Sequence, residues 1–455
     1  MLVDRAALWV DERLGSAHFV SRALRKAFPD HWSFMLGEIN LYAFIVLIAT
    51  GTFLAFFFDP SASKAPYAGS YALLSGTQVS RAYDSVLRLS FDVNGGLLIR
   101  QIHHWTALIF LAGIVTHMAR VFFTGAFRKP RELNWIAGVL LFGLATFEGF
   151  TGYSLPDDLL SGTGLRIADS VALSVPFAGT WLSFLLLGGN FPSEQMLPRL
   201  FVVHVYVVPA AIATLIAAHL AMVWRQKHAQ FPGPGRTERN VVGSPLIWRY
   251  AAKSLALFAA VITVACALGA LVQINPIWSY GPYEPWKILS PAQPDWYVGW
   301  LEGALRLGPP FALHIWGRTV GSPFWPGVLL PSILFGLLLV WPWIDAAIRK
   351  DRAPHQLLDV PRAVPWRTAA GTGLLAFGAI LTLAAADDVQ ARYLHQSIGT
   401  LTEFYRVLCF AGPLLAFAIA YAIASELRER GGVSAAPRVR LRRNDRGGFE
   451  EEPLA

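Results

Sequence analysis

Between Arg100 and Gly125 runs RQIHHWTALIFLAGIVTHMARVFFTG, long and apolar enough to cross a bilayer, yet holding His103, His104 and His117 and Arg120 near its end. An imidazole at membrane depth is costly unless something partners it, so the fold must supply a partner. His103 and His117 are fourteen positions apart. On an α-helix that is just under four turns, within about 40° around the axis and roughly 21 Å along it, so the two share a face.

A second stretch repeats the arrangement. Arg199 to Trp224, RLFVVHVYVVPAAIATLIAAHLAMVW, carries His204 and His219, fifteen apart. Two such helices can pair end by end, each pair of imidazoles gripping one flat metal macrocycle, which gives two haems stacked across the membrane. A lone histidine in a membrane helix is more often a hydrogen-bonded core residue than a ligand; four with matched spacing favour ligation. His104 has no counterpart on the second helix and is assigned to packing or to a haem-propionate contact.

Composition sets the setting. Hydrophobic residues make up 54% of 455, only 15% are charged, and the mean hydropathy is +0.44, more than a soluble domain can bury. An all-α integral membrane protein is expected, with spans near 40–58, 103–124, 135–153, 201–224, 254–274, 326–344, 368–386 and 407–425, the first four forming a di-haem bundle. If the spans alternate, 27 of the 38 Lys and Arg fall on the side of the N-terminus, which makes that side cytoplasmic and the protein a multi-pass component of the plasma membrane. The +8 charge therefore reads as membrane topology and not as nucleic-acid binding.

Cys266 and Cys409 lie in apolar segments and read as small packing residues. No CxxCH and no Cys/His cluster is present, so c-type haem and iron–sulfur centres would belong to partners. Residues 1–30 lack the short apolar core of a cleavable signal and read as an amphipathic segment on the inner surface, with Arg22, Arg25 and Lys26 toward lipid phosphates. The tail 426–455, with seven arginines and an acidic cluster, reads as disordered or surface-bound.

Gly37 and Gly51 on the first span, and Gly138 and Gly152 on the third, repeat the fourteen-residue interval. Glycine admits a bulky flat group close to the backbone, although small residues also serve ordinary helix packing in membranes. With the four histidines, these residues resemble the cytochrome b subunit of quinol:cytochrome c oxidoreductases, the bc1 complexes, from about Trp32 to Ser425. FFTGAFRKPRELNW and GYSLPDDLLSGTGL look most like the actinobacterial, menaquinol-using branch. The resemblance implies an outer haem on His103 and His204 and an inner haem on His117 and His219. It also implies haem-propionate contacts from Arg100, three before His103, and Arg120, three after His117.

Pro294-Asp295-Trp296-Tyr297 resembles that family's PEWY motif in the outer quinol-oxidising pocket, with Asp for Glu and so a shorter arm. An interfacial belt of Trp, Tyr and Pro is the plainer reading of this loop. Tyr153 in GYSLP maps to a residue lining the same pocket, and VPFAGTWLSFLLLGG reads as a half-buried outer surface helix forming part of its wall. The resemblance divides the chain into a di-haem half, 31–225, a cytoplasmic loop, 226–253, and a second half, 254–425, carrying the outer loop 275–325. It implies that Asp295, Tyr297 and Tyr153 act at an outer site, with one electron of menaquinol passing to a Rieske iron–sulfur partner. The other crosses by the two b haems to a quinone near the cytoplasmic face, coupled to proton translocation. A cytochrome c subunit, a terminal oxidase and a second copy of the chain are the further partners implied. At the inner quinone site Trp224 stands where the family often has histidine; His228 or Lys227 could supply the proton there, but both read more readily as solvated loop cations. Two rivals stay open: a di-haem anchor of another quinone-linked enzyme, which would not need the 294–297 loop, and a transporter relaying protons through intramembrane histidines.

Overall fold

A computed structural model describes residues 2–17, 26–287, 289, 293–315, 317–430, 439–443 and 449–453. Among these, eight helices are long and apolar enough to cross a membrane: Leu36–Ala55, Gly96–Phe123, Glu132–Ser154, Met196–Gln226, Ala251–Leu271, Trp325–Arg349, Pro365–Ala384 and Ile398–Arg430. They match the eight expected segments, each beginning earlier than expected, while the first, second, fifth and seventh also end one to three residues sooner. The second begins seven residues before the expected 103 because Arg100 and Gln101 are buried against protein, so their polarity hides the helix from a hydropathy argument. The eighth reaches back to Ile398 for the same kind of reason: Thr402 bonds Asp387 and Arg406 bonds the Leu307 carbonyl.

Span two is the most enclosed, with 39% of its apolar window buried against 6% for span eight, and so forms the axis of the bundle. Spans one and five pack on it, span four packs on span three, and span seven lies between span eight and the outer helix Trp296–Leu307. A core of Ala43, Phe110, Leu111, Ile114 and Ala145 joins spans one to three and receives Tyr297 from that outer helix. Elsewhere the spans carry large apolar side chains outward, such as Phe410, Leu414 and Leu415, which suits a lipid solvent.

Between spans three and four, the helices Leu159–Leu173 and Gly179–Leu187 pack on each other, and the second exposes Trp181, Phe184 and Leu185, in keeping with a surface helix. Some expectations need correction. Cys266 is exposed on its span; lipid solvates a small apolar side chain there as well as protein would. Lys26 donates to the Trp224 carbonyl and sits 4.1 Å over its ring, capping the C-terminal end of span four, while Arg22 and Arg25 lie outside the described residues. In the tail, expected to be disordered or surface-bound, Val439–Arg443 and Phe449–Pro453 pair antiparallel, with Arg440 in register with Glu452 and Arg442 with Glu450.

Candidate functional site

The four histidines meet two by two. His103 and His204 have ring centroids 6.4 Å apart at 79°, and His117 and His219 have theirs 6.4 Å apart at 72°. Two metal–imidazole bonds of about 2.0–2.1 Å, plus roughly 1.1 Å from each nitrogen to its ring centre, come to ~6.3 Å, so both gaps fit one metal ion held axially from two sides.

On the outer pair, Nδ1 is already committed. Thr50 Oγ1 donates to the Val46 carbonyl at 2.7 Å and lies 2.9 Å from His103 Nδ1, so it accepts from that nitrogen. Thr151 Oγ1 donates to the Glu148 carbonyl at 2.9 Å and lies 3.2 Å from His204 Nδ1, which is also 3.1 Å from that carbonyl and 3.1 Å from the carboxylate oxygen Glu148 Oε1. Acceptors around Nδ1 place its proton there and leave Nε2 for a metal. Neither His117 Nδ1 nor His219 Nδ1 has a side-chain partner.

The glycines stand against these rings. A Cβ at Gly51 would lie 3.1 Å from His103 Cε1, at Gly152 2.5 Å from His204 Cε1, at Gly37 3.3 Å from His117 Cε1 and at Gly138 4.0 Å from His219 Cε1. Close approach is thus obligatory at Gly152 and loosest at Gly138. The extra residue between His204 and His219 also has a cause: Val203–Val207 is a π-helical turn, which absorbs one residue just before Pro209, where the hydrogen-bond ladder lacks a donor. That wide turn lets a fifteen-residue interval face a fourteen-residue one.

Arg100, 9% exposed, donates from Nη1 to the Asn275 carbonyl at 3.1 Å, while Nε and Nη2 have no partner. Arg120 likewise has unpartnered Nε and Nη2, its guanidinium held 4.2 Å from the Phe34 ring. Buried guanidinium donors without acceptors, one at each end of span two, are the complement of carboxylates such as haem propionates. With the ring spacing, they make these residues fit two haems.

The outer histidines share a cavity of about 300 Å³ with the expected quinol residues: Gly51, Arg100, His103, His104, Glu148, Gly152, Tyr153, His204, Asp295 and Tyr297 all line it. Asp295 precedes the helix Trp296–Leu307 and turns its carboxylate to His104, with Nε2 3.0 Å from Oδ2 and 3.1 Å from Oδ1. His104 therefore has a definite partner, which neither packing nor a propionate contact described. Tyr297 is buried with its hydroxyl beside Gly149, and Tyr153 donates to the Leu160 carbonyl at 3.2 Å. Pro294 and Trp296 do not line the cavity, and Trp296 is 41% exposed.

Beyond span three, Asp157 and Asp158 are buried, which raises both carboxyls to about 6; Ser80 opposes that rise at Asp157, and Ser161 and Arg100 oppose it at Asp158. Just beyond the C-terminal end of span four, His228 packs on the Phe28 ring at 4.8 Å. Burial, then the positive charges of Lys26, Arg131 and Arg120, lower it to about 4, so it is neutral at physiological pH and not the solvated cation expected of a loop. Lys227 does stay exposed. Sequence reasoning also missed Thr50, Thr151 and Glu148. The doublets Thr50-Gly51 and Thr151-Gly152, and an acid inside an apolar span, were the signals available.

A family model described as cytochrome b (N-terminal)/b6/petB matches residues 108–282. The chain is 48% identical over 431 residues to the cytochrome bc1 complex cytochrome b subunit of Streptomyces coelicolor, covering 94% of this chain and 78% of that one. It is 49% identical over 421 residues to the subunit of the same description from Mycobacterium leprae, covering 92% and 76%. The fold resembles a chain of a solved hyperthermophilic respiratory Complex III with a TM-score of 0.67 at 20% identity, covering 91% of this chain and 98% of that one.

Proposed function

The chain belongs to the cytochrome b subunits of actinobacterial-type bc1 complexes, and from that premise we propose which residues carry out its part in quinol oxidation. As a di-haem subunit of a quinol:cytochrome c oxidoreductase it holds one haem between His103 and His204 and the other between His117 and His219. Arg100 and Arg120 take the propionates, and Gly51, Gly152, Gly37 and Gly138 keep the backbone clear of the rings. Bound there, the haems supply one-electron redox centres toward the two faces of the membrane.

The chain's own work is to bind quinol and move protons. Quinol, of the menaquinol class, enters the outer cavity, and the carboxylate of Asp295, held at 3.0 Å by His104, receives a hydroxyl proton. Tyr297 and Tyr153 hold the ring between spans two and three, and Pro294 and Trp296 set the loop that carries Asp295. The excess of Lys and Arg on the N-terminal side supports a cytoplasmic N-terminus, with the Asp295 side facing outward and protons leaving there. One electron of quinol would pass to a Rieske iron–sulfur subunit and on to a cytochrome c subunit, the other to a quinone near the cytoplasmic face, with a terminal oxidase and a second copy of the chain completing the assembly.

The single observation that carries this reading is the shared cavity, in which an acid–imidazole pair stands beside the outer haem ligands. Its test is menaquinol oxidation by the purified complex carrying Asp295→Ala, alongside reduced-minus-oxidised spectra. Loss of turnover with both b bands intact is the expected result, and unchanged turnover would refute an outer quinol site at this residue.

A further inference from the structure

The two histidine pairs are alike in spacing but not in surroundings. A carboxylate oxygen, Glu148 Oε1, lies 3.1 Å from His204 Nδ1, and the second oxygen, Oε2, is buried with no hydrogen-bond partner. Among the described residues no carboxylate contacts His117 or His219. Glu148 sits one helical turn before Gly152 on span three, and its backbone carbonyl and Thr151 already orient the ring of His204. Orientation alone does not require an acid at this position, where a charge in an apolar span is costly. The side chain must offer something that its backbone does not.

We propose that Glu148 is a positioning residue that tunes the outer haem: its carboxylate, set against His204, makes that iron harder to reduce than it would be without the acid. An acid beside the far nitrogen of a metal-bound imidazole raises the ligand's basicity and adds negative charge near the metal, and both stabilise the ferric state. The inner pair has no such group, so the asymmetry is built into the protein and not into the cofactors. The inference rests on the assignment of the four histidines as haem ligands.

The experiment is a potentiometric titration of both b haems in the purified complex carrying Glu148→Gln, which keeps the size and the backbone carbonyl but removes the charge. The outer haem is expected to become easier to reduce, its ferrous-to-ferric ratio at a fixed potential rising about tenfold, a change of about 59 mV for one electron. The inner haem should stay where it is in the wild type. Should the variant fail to accumulate, Glu148→Asp, whose shorter arm withdraws the carboxylate from Nδ1, is expected to move the outer haem in the same direction. Two bound haems with unchanged potentials, or an equal change in both, would overturn the inference while leaving the ligand assignment standing. Fewer than two haems in the wild-type complex would overturn the assignment and the inference with it. Unchanged potentials with collapsed turnover would make Glu148 a proton acceptor for quinol instead.

Discussion

His104 Nε2 lies 3.0 Å from Asp295 Oδ2 across 191 positions of sequence, and its neighbour in the chain is His103, the proposed haem ligand. The contact ties the loop that carries the proposed quinol-site acid to the helix that carries His103 and His117. Both side chains are mostly enclosed, 15% and 16% exposed, so the pair is shielded from screening by solvent.

Removing the acid while keeping its shape should therefore silence the outer site without disturbing the haems. Asp295→Asn is expected to lower menaquinol turnover by about 10²-fold or more, the scale of a lost proton acceptor, with both b bands unchanged. His104→Gln should lower it too, and the double variant should fall short of the summed effects by a coupling of roughly 0.5–3 kcal/mol. Strict additivity in that cycle would mean that the two side chains act apart.

The inner pair gives a cleaner assignment of ligand to haem. His117→Leu deletes one axial ligand of the 6.4 Å pair with His219 and leaves the outer pair untouched, so the inner b band should vanish while the outer persists. Quantified by haem extraction, the complex should carry one b haem per chain in place of two. Retention of both would break the map of ligands.

What the sequence revealed and what it hid divide along range of contact. His103, His117, His204 and His219 were visible because helix periodicity is local: intervals of fourteen and fifteen on two apolar stretches need no tertiary information. The eight spans were visible for the same reason, blurred only where polar residues such as Arg100 and Gln101 are buried in protein. The partner of His104 was hidden because a contact spanning 191 positions has no local signature. The neutral state of His228 was hidden because it depends on burial against Phe28 and on Lys26, which the fold brings from the N-terminal segment ahead of the first span. Glu148 was legible in principle as an acid inside an apolar helix, but its target is the ring of His204, on a different span.

The glycine contacts predict unequal tolerance of a single methyl group. Gly152→Ala would bring Cβ to 2.5 Å from His204 Cε1, closer than non-bonded atoms allow, so the ring must move. Overpacking of this kind costs about 1–3 kcal/mol, and the strain falls on the ligand that holds the outer haem. Gly138→Ala meets His219 Cε1 at 4.0 Å, an ordinary contact. Haem-to-protein ratios and the outer band should fall in the first variant and hold in the second; equal losses would show that the haem faces, and not the histidine edges, set the need for glycine.

The last prediction concerns pH and the paired acids beyond span three. Burial raises Asp158 from 3.8 to about 6, against the pull of Ser161 and Arg100. A carboxyl raised by folding favours the folded state most below its unfolded value, and that benefit is lost as pH climbs through the folded value. Between about pH 4 and pH 6 the charged side chain thus becomes a burden, of order 3 kcal/mol, since each tenfold change in proton affinity is worth about 1.36 kcal/mol. Asp158 also caps the helix Leu159–Leu173 through the Ser161 amide, a role that asparagine fills equally well. Asp158→Asn should therefore melt with the wild type near pH 4 and increasingly above it as pH rises, levelling off past about pH 7. Melting curves of the purified complex across that range decide the matter: a variant no more stable at pH 8 than at pH 4, relative to the wild type, would mean that Arg100 fully compensates the buried charge.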